Sequence, residues 1–433
     1  MHAPLSPALR VEWRAISALT PIVEQWRALA ARALEPNVFY DPAFALAAAP
    51  VFGARCGAVL VWSAPGRLVG LFPAQVAGWR EGSWPATAGW SHPYAPLGTP
   101  LVDRDEAEPV IGAWLEHLAR DPAAPALLLL PMLPESGAFA RALDAALSRK
   151  GLASATFGRH QRALLEPGAH PAQYFERAVP ARKRKELQRQ RRRLEEFAPV
   201  TFTTATEQQH VARALEDFLV LEASGWKGLA QTAAANDPAL RRFVETAVTT
   251  LAAQGQARID RMVLGGSAIA AAITLSAGDT AWFWKIAYSE GVARFSPGVQ
   301  LVCELTSGFA AQPGLAHVDS CATADHPMID HMWRERLMLC DRLIAVKRSV
   351  VPFALACGAE TLRRAMLAAA RALRDGLRQR KPKAASGLGP EQPADHLAGG
   401  GHRHLRDEGD LARVLMRGQP GADETLDVGG KRV

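Results

Sequence analysis

Residues 280–322 read TAWFWKIAYSEGVARFSPGVQLVCELTSGFAAQPGLAHVDSCA, and this stretch sets the architecture of the C-terminal half. TAWFWKIAY is dense in aromatic residues and reads as a strand. Strict alternation places Trp282, Trp284, Ile286 and Tyr288 on one face and Phe283, Lys285 and Ala287 on the other. Ser296 and Pro297 then open a helix with Val302, Leu305 and Phe309 on one face, and Pro313-Gly314 ends it. AHVDSCA is the next strand. A helix joining two strands in this way is a crossover between parallel neighbours. Its N-terminus lies at the carboxyl end of the first strand, where anionic ligands dock.

Working outward, VTFTTAT (200–206) reads as a strand, and a helix runs from Thr206 to about Glu222. Val211, Leu215, Phe218 and Leu219 form its apolar stripe, and Thr206 with Gln209 fits a capping box. Asp237-Pro238 opens a second helix, which ends near Gly255. ARIDRMVL and SAIAAAITL precede the aromatic strand, with turns at Gly265-Gly266 and Gly278-Asp279. RLIAVKRSVV supplies a last strand. The N-terminal block is also mixed α/β. It has a helix around Pro21–Leu34, two strands around Ala64-Pro65-Gly66-Arg67, and a Trp/Gly/Pro-rich loop from Gly78 to Pro100. Helices at Ala107–Ala119 and Gly137–Ser148 then alternate with the strands PALLLLPML and Ser154–Leu165. The expected organisation is an N-terminal domain (1–170), a basic helical connector (171–198), a C-terminal domain (199–350), a C-terminal helix (351–380) and a disordered tail (381–433).

Over 433 residues, 48% apolar and 21% charged, the composition supplies a substantial core and excludes wholesale disorder. No run approaches the roughly 18 apolar residues that cross a bilayer, so no transmembrane segment is expected. MHAPLSPALRVEW has no apolar core of a secretory signal. The five cysteines lie far apart without a CxxC pair, which points to a reducing, cytoplasmic setting. Most of the +7 net charge sits in residues 177–196, where nine Lys/Arg face three Glu. Such a helix either binds an anionic partner through Arg182–Arg193 (nucleic acid, an acidic lipid surface or a polyanionic substrate) or is a solvated connector. No aromatics interleave its arginines, so it offers no stacking platform for single strands. GxSxG, GxxxxGK[ST], HExxH and GxGxxG are all absent, which leaves hydrolase, P-loop and dinucleotide readings without their usual support.

Several side chains carry possible chemistry. In FSPGVQL (295–301), Ser296 can cap, Pro297 has no N–H to lose, and Gly298 lets a phosphate approach the backbone. An ordinary helix start reads the same way. GWKG (225–228) follows Glu222 by one turn, and Trp226 and Lys227 suit either a loop that closes over a ligand or a helix cap. Lys285, among aromatics, must reach water, a carboxylate or a ligand, and Tyr288 at the strand end can donate a proton. Asp319, Cys321, Asp325, His326, Asp330 and His331 crowd residues 317–333, but their spacing matches no zinc pattern and no metal is expected. Acid–base or orienting work by Asp319 or His326 fits better.

The C-terminal block resembles the CelD-type branch of the GNAT acyltransferases, which is built from two GNAT-like halves and is similar to the Fem aminoacyl transferases. Tyr288, Ser296, Pro297, Gly298, Asp319, Trp333 and the arginine-rich helix 182–193 carry the resemblance across roughly residues 175–340. FYDPAF (39–44) and LVGLFPA (68–74) extend it loosely to the N-terminal block. The sequence departs from the family's Arg/Gln-x-x-Gly-x-Gly/Ala loop. Counted from Arg294, Pro297 and Val299 stand where small residues are usual, with Gly298 one place late. Asp330 takes the place of a frequent lysine.

The resemblance implies an α/β fold with two GNAT-like domains in tandem. It implies transfer from an acyl-CoA, acetyl-CoA first among them, to an amine or hydroxyl of a small molecule or glycan in polysaccharide or envelope synthesis, without a metal. Arg294, Ser296, Pro297, Gly298 and Val299 would hold the carrier. Tyr288 would serve as acid, with Glu222 or Asp319 as base. Trp226, Lys227, Lys285, His326 and Asp330 would face the acceptor. Two other readings stand beside it: a non-catalytic scaffold that binds an anionic polymer or membrane in an exopolysaccharide system, and a tRNA-dependent aminoacyl transferase.

Overall fold

A computed structural model describes residues 9–63, 66–77, 84–167, 173–225, 233–347 and 352–380. The expected tail, 381–433, lies outside them. The described residues group into two compact units, one of 9–161 together with 337–380, the other of 162–336. The basic helix lies inside the second unit.

The first unit begins with β1 (Arg10–Ala15), α1 (Val23–Ala31) and α2 (Pro42–Phe52). The start of α2 falls within FYDPAF. Asp41 accepts a hydrogen bond from the Ala43 N–H at 2.8 Å, and Pro42 takes the first helical position. Then come β2 (Cys56–Ser63), β3 (Arg67–Ala77), β4 (Ala86–Gly89), β5 (Leu101–Val102), α3 (Ala107–Arg120), β6 (Leu127–Pro134) and α4 (Ala138–Lys150). β7 (Ser154–Leu165) carries the chain into the second unit. There follow α5 (Tyr174–Ala178), α6 (Ala181–Glu195), β8 (Val200–Ala205), α7 (Gln208–Ser224), α8 (Pro238–Ala253), β9 (Ala257–Leu264), β10 (Ser267–Ala277), β11 (Thr280–Tyr288), α9 (Pro297–Ala311) and β12 (His317–Asp319). β13 (Glu335–Ala345) and α10 (Phe353–Arg380) complete the first unit.

Both units repeat one pattern. In the first, the order β1-β2-β3-β4-β6-β13 is antiparallel except for β4 and β6, which α3 joins as parallel neighbours. In the second, the order β8-β9-β10-β11-β12-β7 is antiparallel except for β11 and β12, joined by α9. This is the mixed α/β architecture expected from sequence.

The core of the first unit sets Trp114 of α3 flat on Phe72 of β3, 4.0 Å between centroids. In the second unit the α9 side is anchored by buried Trp333. Its ring meets Phe283 and Phe309 edge-on at 5.8 and 6.3 Å, and its indole N–H donates to Thr306 Oγ1 at 2.9 Å. On the opposite face, Phe243 of α8 packs edge-on to Trp284 of β11.

Three local readings change. The capping box at Thr206 and Gln209 does not form, because Glu207 takes the cap position without a side-chain bond. AHVDSCA is a strand only over His317–Asp319. The strict alternation of TAWFWKIAY breaks at a β-bulge: Thr274 faces Phe283 and Ile273 faces Lys285, so Trp284 is the extra residue. One extra residue reverses the parity of everything after it. Ile286 therefore joins Phe283 in packing on the α9 side of the sheet.

Candidate active site

α9 begins where the sequence places it. Pro297 is its first residue, and Phe295 O accepts from the buried Gln300 side chain at 2.8 Å. Ser296 departs from expectation. It sits in the left-handed region (φ 52°, ψ 51°), and its hydroxyl makes no capping bond. That backbone is costly for a non-glycine residue and marks a built turn. The N–H groups of Gly298 and Val299 point from the first helical turn and donate to no acceptor among the described residues.

Gly298 is buried under Tyr288. A Cβ there would lie 3.2 Å from Tyr288 Cδ1 and 3.7 Å from Ile286 Cδ1. The bulge is what aims Ile286 and Tyr288 at α9. Tyr288 is otherwise exposed, as is Arg294, whose guanidinium lies 4.7 Å from the Phe295 ring centroid. Val299 is half-buried against the core.

β11 has one fully paired edge and one open edge. Its ladder to β12 runs only through Thr280↔His317, Ala281↔Val318 and Trp282↔Asp319. From Phe283 to Tyr288 that edge has no strand partner among the described residues. Asp319, at the point of divergence, is buried and ion-paired to the equally buried Arg162 of β7. Its other oxygen accepts the Cys321 N–H at 3.0 Å. Cys321 follows in the left-handed region at φ 52°. Burial pushes its thiol well above the usual range, Asp319 adds to that, and Arg162 and Lys285 oppose it. Lys285 is half-buried, its ammonium 5.3 Å from the Trp284 ring centroid.

The remaining predicted residues fall in two places. His326 and Asp330 meet in the turn after β12. His326 Nδ1 accepts the Met328 and Ile329 N–H groups at 3.3 and 3.4 Å, and burial, opposed by Asp330, lowers the pKa of the ring. Asp330 Oδ1 is buried without a hydrogen-bond partner among the described residues. Glu222 is buried at the end of α7, accepting the Ala234 N–H at 3.0 Å. Gly225 lies beside Glu290, two residues past Tyr288: a Cβ there would be 3.3 Å from Glu290 Oε1. Trp226 and Lys227 lie outside the described residues. Arg162 and Gln300 escape a reading of the sequence alone. The signal for Arg162 is Asp319 itself, because a carboxylate inside a short central strand demands a buried cation.

α6 carries the basic run. At 100° per residue, Arg182, Lys185, Arg189, Arg192 and Arg193 fall within an arc of about 100° opposite buried Leu187 and Leu194. All five are exposed. Arg189 pairs with Glu186, whereas Arg184 and Arg191 spend their charge on Glu176 and Glu195 at the flanks. α6 packs on the 3₁₀ segment Glu290–Phe295 that leads into α9.

No curated protein matches the chain. Among solved structures, it resembles the C-terminal DUF2156 domain of a chain assigned as a lysylphosphatidylglycerol synthetase from Agrobacterium fabrum. That likeness has 12% identity and a TM-score of 0.50, and covers 80% of this chain and 97% of that one. It resembles FemX at 9% identity and a TM-score of 0.50, over 75% of this chain and 95% of that one. Both likenesses are of fold. Residues 181–326 match the family model described as an acetyltransferase (GNAT) domain.

Proposed function

We propose that the second unit transfers an acyl group from an acyl-CoA, acetyl-CoA first among them, to an amine or hydroxyl acceptor. The observation that carries this reading is the open edge of β11 beside the two undonated N–H groups at the start of α9. An extended amide-bearing arm pairs with an open strand edge as an added strand does. The phosphates at its far end suit the helix terminus, with exposed Arg294 nearby.

In this reading a backbone N–H between Phe283 and Tyr288 steadies the thioester carbonyl as charge builds on its oxygen. The acceptor's lone pair forms the new bond to the carbonyl carbon, and the C–S bond breaks. The Tyr288 hydroxyl gives its proton to the departing thiolate, and Glu222 takes the acceptor's proton, directly or through water. Asp319, already neutralised by Arg162, fixes the point where β11 and β12 part. Lys285, His326 and Asp330 face the acceptor, a small molecule or glycan of polysaccharide or envelope synthesis.

Titration calorimetry with CoA tests the carrier site. Gly298→Glu places a side chain against Tyr288 and a negative charge at the helix start. Affinity should fall at least tenfold, about 1.4 kcal/mol. Unchanged affinity in a folded variant overturns the assignment.

A second reading rests on the α6 ridge: the acyl donor is an aminoacyl-tRNA, whose phosphates would follow the five exposed cations toward α9. Thermal shifts with acetyl-CoA, CoA and tRNA separate the two donors.

A further inference from the structure

We propose that the outer face of α10 lies in the interface of an anionic lipid bilayer and tethers the protein to it. The inner face of this helix is built into the first unit. Ala356 packs with Ala86, Leu127 and Leu343, and buried Glu360 pairs with Arg363 and Arg364. Arg364 reaches on to Asp341 and covers the Phe157 ring. These contacts fix the rotation of the helix about its own axis.

That rotation leaves the outer face apolar. Leu355, Leu362, Met366 and Leu373 are 61%, 61%, 57% and 67% exposed. Their spacing of seven, four and seven residues keeps them within about 40° of one another on the helix, along about 27 Å of its length. Beyond Arg364 the described side chains are exposed on every side, Leu367 among them. Four large aliphatics in a row on a soluble surface mark an interaction face, whereas scattered ones do not.

Charge selects the occupant. The same segment continues into Arg371, Arg374, Arg378, Arg380, Lys381 and Lys383 against Asp375 alone. A second copy of the helix is itself basic, and residues 384–433 hold eight Asp/Glu against six Lys/Arg, so either would cover the apolar stripe without offering this run a strongly negative surface. An anionic bilayer answers both features: acyl chains take the stripe, and phosphate headgroups take the cations. None of the described helices is long and apolar enough to cross a membrane, so the mode is a helix lying in the interface plane. This tether would hold whether or not the second unit transfers acyl groups.

The test is co-sedimentation of the full chain with phosphatidylglycerol vesicles and with phosphatidylcholine vesicles. Binding should favour the anionic vesicles at least tenfold and weaken as salt rises from 0.1 to 0.5 M. The variant Leu362→Glu, Met366→Glu, Leu373→Glu changes only exposed side chains. It should keep the parent's unfolding midpoint and lose at least tenfold in anionic-vesicle affinity. Replacing Arg378, Arg380, Lys381 and Lys383 by Gln should abolish the preference for anionic lipid. Three results overturn the proposal. One is a full-length chain that pellets with neither vesicle, whatever covers the stripe. Another is a folded triple variant that binds as the parent does. The third is a parent dimer in analytical ultracentrifugation that the triple variant dissociates.

Discussion

Arg162 and Asp319 show what a single buried pair does to this fold. Each is almost wholly enclosed, and together they sit where β12 leaves β11. Removing one partner strands the other charge away from water, at a cost of about 3–5 kcal/mol. Asp319→Ala and Arg162→Met should therefore each lower the urea midpoint steeply, and the double variant Arg162→Met, Asp319→Leu should recover part of the loss. Single variants within about 0.5 kcal/mol of the parent would show that the pair is not structural. His92 in the first unit gives a pH-dependent counterpart. It stacks on Phe52 at 4.3 Å between centroids, and burial lowers its pKa to about 4. Between the unfolded value near 6.5 and about 4, the unfolded chain binds a proton that the folded one refuses, so stability falls as pH drops through that window. The loss is on the order of 1–3 kcal/mol by pH 4. Denaturation of the parent and of His92→Phe at pH 7 and pH 4.5 checks it: the variant should lose less on acidification. Equal losses in both would remove His92 as the source. Of these residues the sequence displays the carboxylate and not its partner. Asp319 is conspicuous inside HVD, whereas Arg162 is one of many arginines until the topology sets β7 against β12.

The elements divide into those written locally and those set by neighbours. Helix starts were legible where a short-range bond or a proline ring decides them: Asp237 caps α8 through the Ala239 and Leu240 N–H groups, and Pro297, with no N–H to leave unsatisfied, opens α9. The facing of β11 was not, because its bulge is a property of the pairing with β10 and no residue of TAWFWKIAY announces it. The open edge of β11 was hidden for the same reason, since AHVDSCA has the composition of a longer strand than it forms. α6 lies between these cases. Its charge was plain from sequence, but the structure separates the arginines that hold Glu176 and Glu195 from those that face solvent. That division selects the test. Arg182→Glu, Lys185→Glu and Arg192→Glu together reverse the exposed ridge without touching either flanking pair. A solvated connector would tolerate this within about 0.5 kcal/mol of stability and with unchanged binding. A phosphate-binding ridge would lose affinity for its polyanion and show a shallower salt dependence. Filter binding of tRNA and calorimetry with CoA across a salt series distinguish the two. If tRNA binding alone is lost, the donor is the nucleic acid. If neither ligand is affected, α6 is a connector.

At the scale of the whole chain, each unit is completed by a strand from the other half of the sequence. β7 follows the first unit's helices yet pairs with β12, and β13 follows β12 yet pairs with β6 across about two hundred residues. Local patterning cannot reveal such an exchange, because both strands look like ordinary continuations of the half that precedes them. The first unit cannot close its sheet until the chain has been made through Ala345, which places a long-range contact late in folding. A chain ending at Arg336 keeps every described residue of the second unit but leaves β6 without β13. It forfeits buried Leu339, Cys340, Leu343 and Ile344. Burying a large aliphatic contributes roughly 1.5–3 kcal/mol, so the joint loss is comparable to the ~5–15 kcal/mol that holds a typical domain folded. The fragment 1–336 should therefore expose the first unit's Trp26, Trp90 and Trp114, seen as a red-shifted fluorescence, and be cut by protease within residues 9–161. The fragment 1–383 should retain the parent's spectrum and resistance. A 1–336 fragment with the parent's urea midpoint and the parent's digestion pattern would show that β13 is dispensable to the first unit.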